Sequence, residues 1–71
     1  MRLVVNGKEI NFTKDLTITE LFGEQKVKMP EMVSVELNGE ILKRSGFERT
    51  VLKEGDNAEF LYFMGGGSGT K

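Results

Sequence analysis

Seventy-one residues, 38% hydrophobic and 30% charged, make one small domain, because a chain this short cannot divide into two independently cored units. The chain has neither cysteine nor histidine, which excludes a disulfide framework, a zinc knuckle, a thiolate nucleophile and imidazole acid/base chemistry. Ten basic residues against eleven acidic ones give a net charge of -1 with no basic run beyond Lys43-Arg44, which argues against nucleic acid as a partner. No apolar run has the length of a membrane span or signal-peptide core, so a cytoplasmic protein is expected.

Met1 to Val5 reads as a strand, with Leu3 and Val5 on one side and Arg2 and Val4 on the other. Asn6-Gly7 follows at once, the pair best suited to the two positive φ values of a type I′ turn, and Ile10 and Phe12 alternate with Glu9 and Asn11 to complete a hairpin. The period then changes. Ile18, Leu21 and Phe22 fall at helical spacing, Thr17 and Glu20 have the spacing of a capping box, and Leu16 and Leu21 that of a hydrophobic staple. Gly23 weakens the interior of this helix, which is expected to end near Gln25 to Val27, with Pro30 closing the following loop.

Val33, Val35 and Leu37 alternate with Ser34 and Glu36, and Asn38-Gly39 repeats the hairpin signal before a short strand at Glu40 to Leu42. From Lys43 to Leu52 the pattern is mixed: Ser45 and Glu48 have the spacing to cap a helical turn, and Phe47, Val51 and Leu52 read as anchors of an irregular crossing. Glu54-Gly55-Asp56 is a turn, and Ala58 to Met64 is the last strand, with Leu61 and Phe63 alternating against Phe60 and Tyr62. Two hairpins sharing one helix imply an α+β fold of the β-grasp type, a mixed sheet of about five strands with the helix across one face. Residues 1–64 form the domain and residues 65–71 a glycine-rich tail.

Nothing in the chain has the spacing of a catalytic or metal constellation. What stands out is Gly65-Gly66-Gly67, directly after a strongly apolar strand. A glycine arm leaving a fixed point can enter a narrow channel in another protein, because no Cβ meets the walls. Taken by composition alone such an end is also an ordinary linker. Leu61, Phe63 and Val4 fall on the sheet face away from the helix. With Tyr62 and Met64 beside the arm, they read as a docking surface.

The ordered set Leu3-Val4-Val5-Asn6-Gly7-Lys8-Glu9, Leu16-Thr17-Ile18-Thr19-Glu20-Leu21, Val35-Glu36-Leu37-Asn38-Gly39-Glu40-Ile41, Leu52-Lys53-Glu54-Gly55-Asp56 and Phe63-Met64-Gly65-Gly66-Gly67 resembles the ubiquitin-like sulfur carriers of the ThiS type. The MoaD-type subunits of molybdopterin synthase are more distant cousins. The resemblance implies a protein cosubstrate, not an enzyme and without a bound cofactor. A ThiF/MoeB-like enzyme would activate its terminal glycine carboxylate with ATP, and a thiocarboxylate would then form. On this reading Gly67 carries the sulfur, Gly65 and Gly66 extend the arm, and Leu61, Tyr62, Phe63 and Met64 dock on partners, among them a sulfur acceptor such as thiazole synthase.

The sequence departs from that pattern by continuing with Ser68-Gly69-Thr70-Lys71, so a protease that trims the tail, an appended remnant and a stored precursor all stay open. Gly66 is the alternative mature terminus. The other functional readings are a protein modifier forming isopeptide bonds, a carrier feeding molybdopterin, cysteine or homocysteine synthesis, and a plain β-grasp interaction domain.

Overall fold

A computed structural model of the chain describes residues 1–62. Strand β1 (Arg2–Val5) pairs antiparallel with β2 (Lys8–Asn11), and β3 (Val33–Leu37) with β4 (Glu40–Leu42). Each hairpin turns on its Asn-Gly pair, with φ of 53° and 82° at Asn6 and Gly7 and of 52° and 88° at Asn38 and Gly39. These are the paired positive values that let a two-residue turn follow the twist of its strands. The last strand, β5 (Asn57–Tyr62), runs parallel to β1 and antiparallel to β3, so the five-stranded mixed sheet has the order β2-β1-β5-β3-β4.

Helix α1 (Ile18–Glu24) is seven residues long, too short to persist without packing. Its start is fixed locally: Thr17 Oγ1 accepts from Glu20 N at 3.2 Å while Glu20 Oε1 accepts from Thr17 N at 2.9 Å, the reciprocal capping box expected from the spacing. Its buried face is Ile18, Leu21 and Phe22, which meet Leu3, Val5, Val33, Val35, Ala58 and Phe60 of the sheet in one apolar core. Phe22 is the junction. Its ring stands edge-on to Phe60 of β5 (centroids 5.1 Å apart) and to Phe47 of the crossing segment (5.6 Å), tying helix, sheet and crossing together. Leu16 and Leu21, the staple pair, are both fully enclosed.

Two connections differ from the sequence reading. Pro30 opens a 3-10 turn (Pro30–Met32) instead of merely closing a loop, a position where its missing N–H costs nothing. The crossing segment contains a second 3-10 turn (Arg44–Gly46) whose N-cap is Lys43, so Ser45 sits inside the turn and not at the capping position its spacing to Glu48 suggests. Within that segment Phe47 and Leu52 are buried as expected, but Val51 is 50% exposed. The cause is an isolated antiparallel bridge between Thr17 and Val51: it holds the backbone extended, so successive side chains alternate, Leu52 inward and Val51 outward. Arg44 clasps the crossing to the start of β3, donating to the carbonyls of Pro30 (3.0 Å) and Val33 (2.9 Å) and lying 5.3 Å above the Phe47 ring.

Candidate functional site

The place where the chain leaves the sheet is the end of β5. Strand alternation sends its last two residues to opposite faces: Leu61 lies opposite Ser34 on the face that α1 leaves open, and Tyr62 lies opposite Val33 on the helix side. Both are accessible, Leu61 38% and Tyr62 52% exposed. Of the sequence-derived site, these two are described. Phe63, Met64, Gly65, Gly66 and Gly67 lie outside the described residues.

On the open face the register brings together residues that no short-range pattern links. Glu36 of β3 stands opposite Glu59 of β5 and, on its other side, opposite Ile41 of β4, which is 62% exposed. Among the described residues the ion pairs are Arg2 with Glu9 (3.6 Å) and Arg2 with Glu54 (3.8 Å), and neither Glu36 nor Glu59 has one. Like charges directly opposed in a sheet lower its stability. The face therefore presents exposed Leu61 and Ile41 beside an acidic pair that has no ion-pair partner among the described residues, a surface suited to a partner that offers apolar sockets and a cation. Val4, the remaining apolar residue of this face, is half-buried opposite Glu9. Sequence reading found Leu61 but missed Ile41 and the Glu36–Glu59 apposition, because both depend on strand register.

The exit of β5 is held from both sides. Along β3 the pairing reaches Tyr62, whereas along β1 it stops at Val5 and Ala58. Beyond that point Asn6 continues it: Asn6 N donates to the Ala58 carbonyl at 2.9 Å, and Asn6 Oδ1 accepts from Phe60 N at 2.8 Å.

Among the described residues no polar or charged side chain is buried, and no group of three or more Asp, Glu, His or Cys is placed to hold a metal. A groove of about 450 Å³ runs between Thr19 of α1 and the Arg44–Glu48 stretch. Its arginine is already committed to the Pro30 and Val33 carbonyls. No helix among the described residues is long and apolar enough to cross a membrane.

Comparison with known proteins agrees with this architecture. The sequence profile of the ThiS family matches residues 2–67. The chain is similar to a crystal structure of the thiamine biosynthesis protein ThiS of Geobacter metallireducens, with a TM-score of 0.84 and 52% identity over 94% of this chain and 100% of that one. A solution NMR structure of a thiamine biosynthesis protein of Geobacter metallireducens gives a TM-score of 0.76 and 51% identity, over 96% of this chain and 90% of the other. The chain is also 41% identical over 68 residues to a thiazole synthase of Paramagnetospirillum magneticum, covering 96% of itself but only 21% of that protein. The fold is therefore the β-grasp that the order of elements implies, and the chain belongs to the ThiS family of sulfur carriers.

Proposed function

We propose that this protein carries sulfur as a thiocarboxylate on Gly67 and delivers it to the thiazole synthase of thiamine synthesis. The observation that supports this best is the family match, which runs through Gly65-Gly66-Gly67 and stops before Ser68. The likeness to part of a thiazole synthase supports the choice of acceptor, since that relative joins a stretch resembling this whole chain to a much longer one.

The chemistry follows from what a carboxylate lacks. It is a poor electrophile, because displacing an oxygen would require oxide to leave. A ThiF/MoeB-like enzyme solves this with ATP: the Gly67 carboxylate attacks the α-phosphorus, pyrophosphate departs, and an acyl-adenylate remains. A persulfide sulfur then attacks the carbonyl carbon and AMP leaves, after which a second thiol cleaves the S–S bond and frees the thiocarboxylate. The carrier contributes position. Leu61, with Tyr62, Phe63 and Met64 beyond it, docks on the partner while the glycines reach the reacting atoms, so that transfer becomes effectively intramolecular. Before any of this, removal of Ser68 to Lys71 must expose the Gly67 carboxylate, because a peptide carbonyl cannot be adenylated.

The test is activation of the chain ending at Gly67 by a ThiF-like enzyme, read as ATP–pyrophosphate exchange and as the mass change for one oxygen replaced by sulfur. Gly67→Ala, or deletion of Gly66 and Gly67, is expected to abolish exchange and leave the thermal transition unchanged. Undiminished exchange in the deletion variant overturns the assignment. Native protein that ends at Lys71 and never acquires sulfur, although thiamine is being made, overturns the carrier role.

A further inference from the structure

The asparagines of the two hairpin turns do more than supply a positive φ. Each reaches out of its turn to the same strand, β5, through its backbone N–H and its side-chain oxygen. Asn38 donates its backbone N–H to the Asn57 carbonyl (2.8 Å) and accepts from Asn57 N through Oδ1 (2.9 Å), and its Nδ2 also donates to Asp56 Oδ1 (3.0 Å). Asn6 donates its backbone N–H to the Ala58 carbonyl and accepts from Phe60 N through Oδ1 (2.8 Å), across 54 positions of sequence.

Both put a side-chain oxygen where the strand pairing would use the residue's own carbonyl, Asn6 in a parallel pairing and Asn38 in an antiparallel one. In a parallel pair the acceptor after Val4 along β1 is the carbonyl of residue 6, but the I′ turn swings that carbonyl away, so the amide side chain substitutes for it. Asn38 grips β5 at its first residue, from the β3 side. Asn6 grips it from the β1 side, at Phe60, two residues before the end of the strand.

We propose that Asn6 is a positioning residue for sulfur transfer: among the described residues its bond to Phe60 is the last on the β1 side of β5, and it fixes Leu61 and Tyr62, the strand end from which the chain continues. This rests on the functional reading above. Without the Asn6 bond, the described residues of β5 beyond Ala58 are paired with β3 alone, a one-sided attachment about which the strand end can swing. A misplacement of about 1 Å at a reacting group can cost on the order of a hundredfold in rate. Asn38 supplies the internal control, since its bracket lies at the other end of the strand.

The experiment uses three variants of the chain ending at Gly67. Asn6→Gly keeps the positive φ and removes only the side-chain acceptor, Asn6→Asp keeps an oxygen in the same place, and Asn38→Gly removes the other bracket. In Asn6→Gly the Phe60 amide is expected to exchange with solvent at least about tenfold faster, and kcat for activation to fall roughly tenfold or more at unchanged KM. Asn6→Asp restores both. Asn38→Gly lowers the thermal transition but leaves kcat at the wild-type value.

Unchanged Phe60 protection in Asn6→Gly overturns the proposal, as does a loss of kcat that Asn38→Gly matches, since that would report only general loosening. If the unaltered chain is not activated at all, the functional reading falls. The positioning role is then decided by relaxation of the Leu61 and Tyr62 amides, and amides equally ordered in Asn6→Gly and wild type reject it.

Discussion

The two faces of the sheet are built from the same strands and carry opposite chemistry. Under α1, Leu3, Val5, Val33, Val35, Ala58 and Phe60 are almost wholly enclosed, and nothing polar is buried with them among the described residues. On the other face, one residue along each strand, Glu36 and Glu59 confront each other between exposed Leu61 and Ile41. The first face contributes stability, each fully buried large side chain adding about 1.5–3 kcal/mol. The second gives some of it up, because like charges directly opposed across two strands repel. On the proposed function, in which the domain docks on an activating enzyme and on a sulfur acceptor, the first face serves the fold and the second is left for partners.

The sharpest way to break this comparison is to truncate the same strand on each face in turn. Phe60→Ala removes the ring against which Phe22 stands and is expected to cost about 3–5 kcal/mol, most of the stability available to a domain of this size. Chemical denaturation monitored by circular dichroism checks this, and a loss below 1 kcal/mol would show that the core does not depend on the Phe22 junction. Leu61→Asp, next along the chain, is expected to weaken capture by the activating enzyme at least about tenfold while changing stability by no more than about 0.5 kcal/mol. Titration calorimetry and a melting curve on the same sample separate the two effects. Smallest is Glu59→Gln, which relieves the apposition with Glu36 and is expected to raise stability by roughly 0.2–1 kcal/mol. A melting curve at low salt detects it. The same variant is expected to bind a basic docking surface less tightly, so the gain in one property accompanies a loss in the other.

The parts of this fold that could be read in advance are those whose causes lie within a few residues. Asn6-Gly7 and Asn38-Gly39 dictate their hairpins by backbone sterics, and Thr17 and Glu20 close a capping box over three positions, so both hairpins and the helix start were legible. The terminal glycines stand out by composition and by what precedes them, and they lie outside the described residues. The rest depends on contacts between distant residues. That β5 lies between β1 and β3 is a matter of pairing over the full chain, and with it comes the meeting of Glu36, Glu59 and Ile41. The outward turn of Val51 comes from a bridge to Thr17, and the clasp of Arg44 from carbonyls of Pro30 and Val33. None of these leaves a local pattern. The asparagines were legible as turn residues and illegible as acceptors for β5, because the same side chain serves a local and a remote purpose.

The parallel pairing of the first strand with the last has a consequence for the order of events during synthesis. Neither β1 nor β3 has its central neighbour until β5 has been made, so the sheet closes only when nearly the whole domain is available, and a pairing this distant in sequence forms late. A nascent or truncated chain lacking β5 has two separate hairpins and an uncovered helix, a species marked for aggregation or proteolysis. Leu61 and Tyr62 belong to the element that completes the fold, so on the proposed function the docking surface they form exists only when folding is finished.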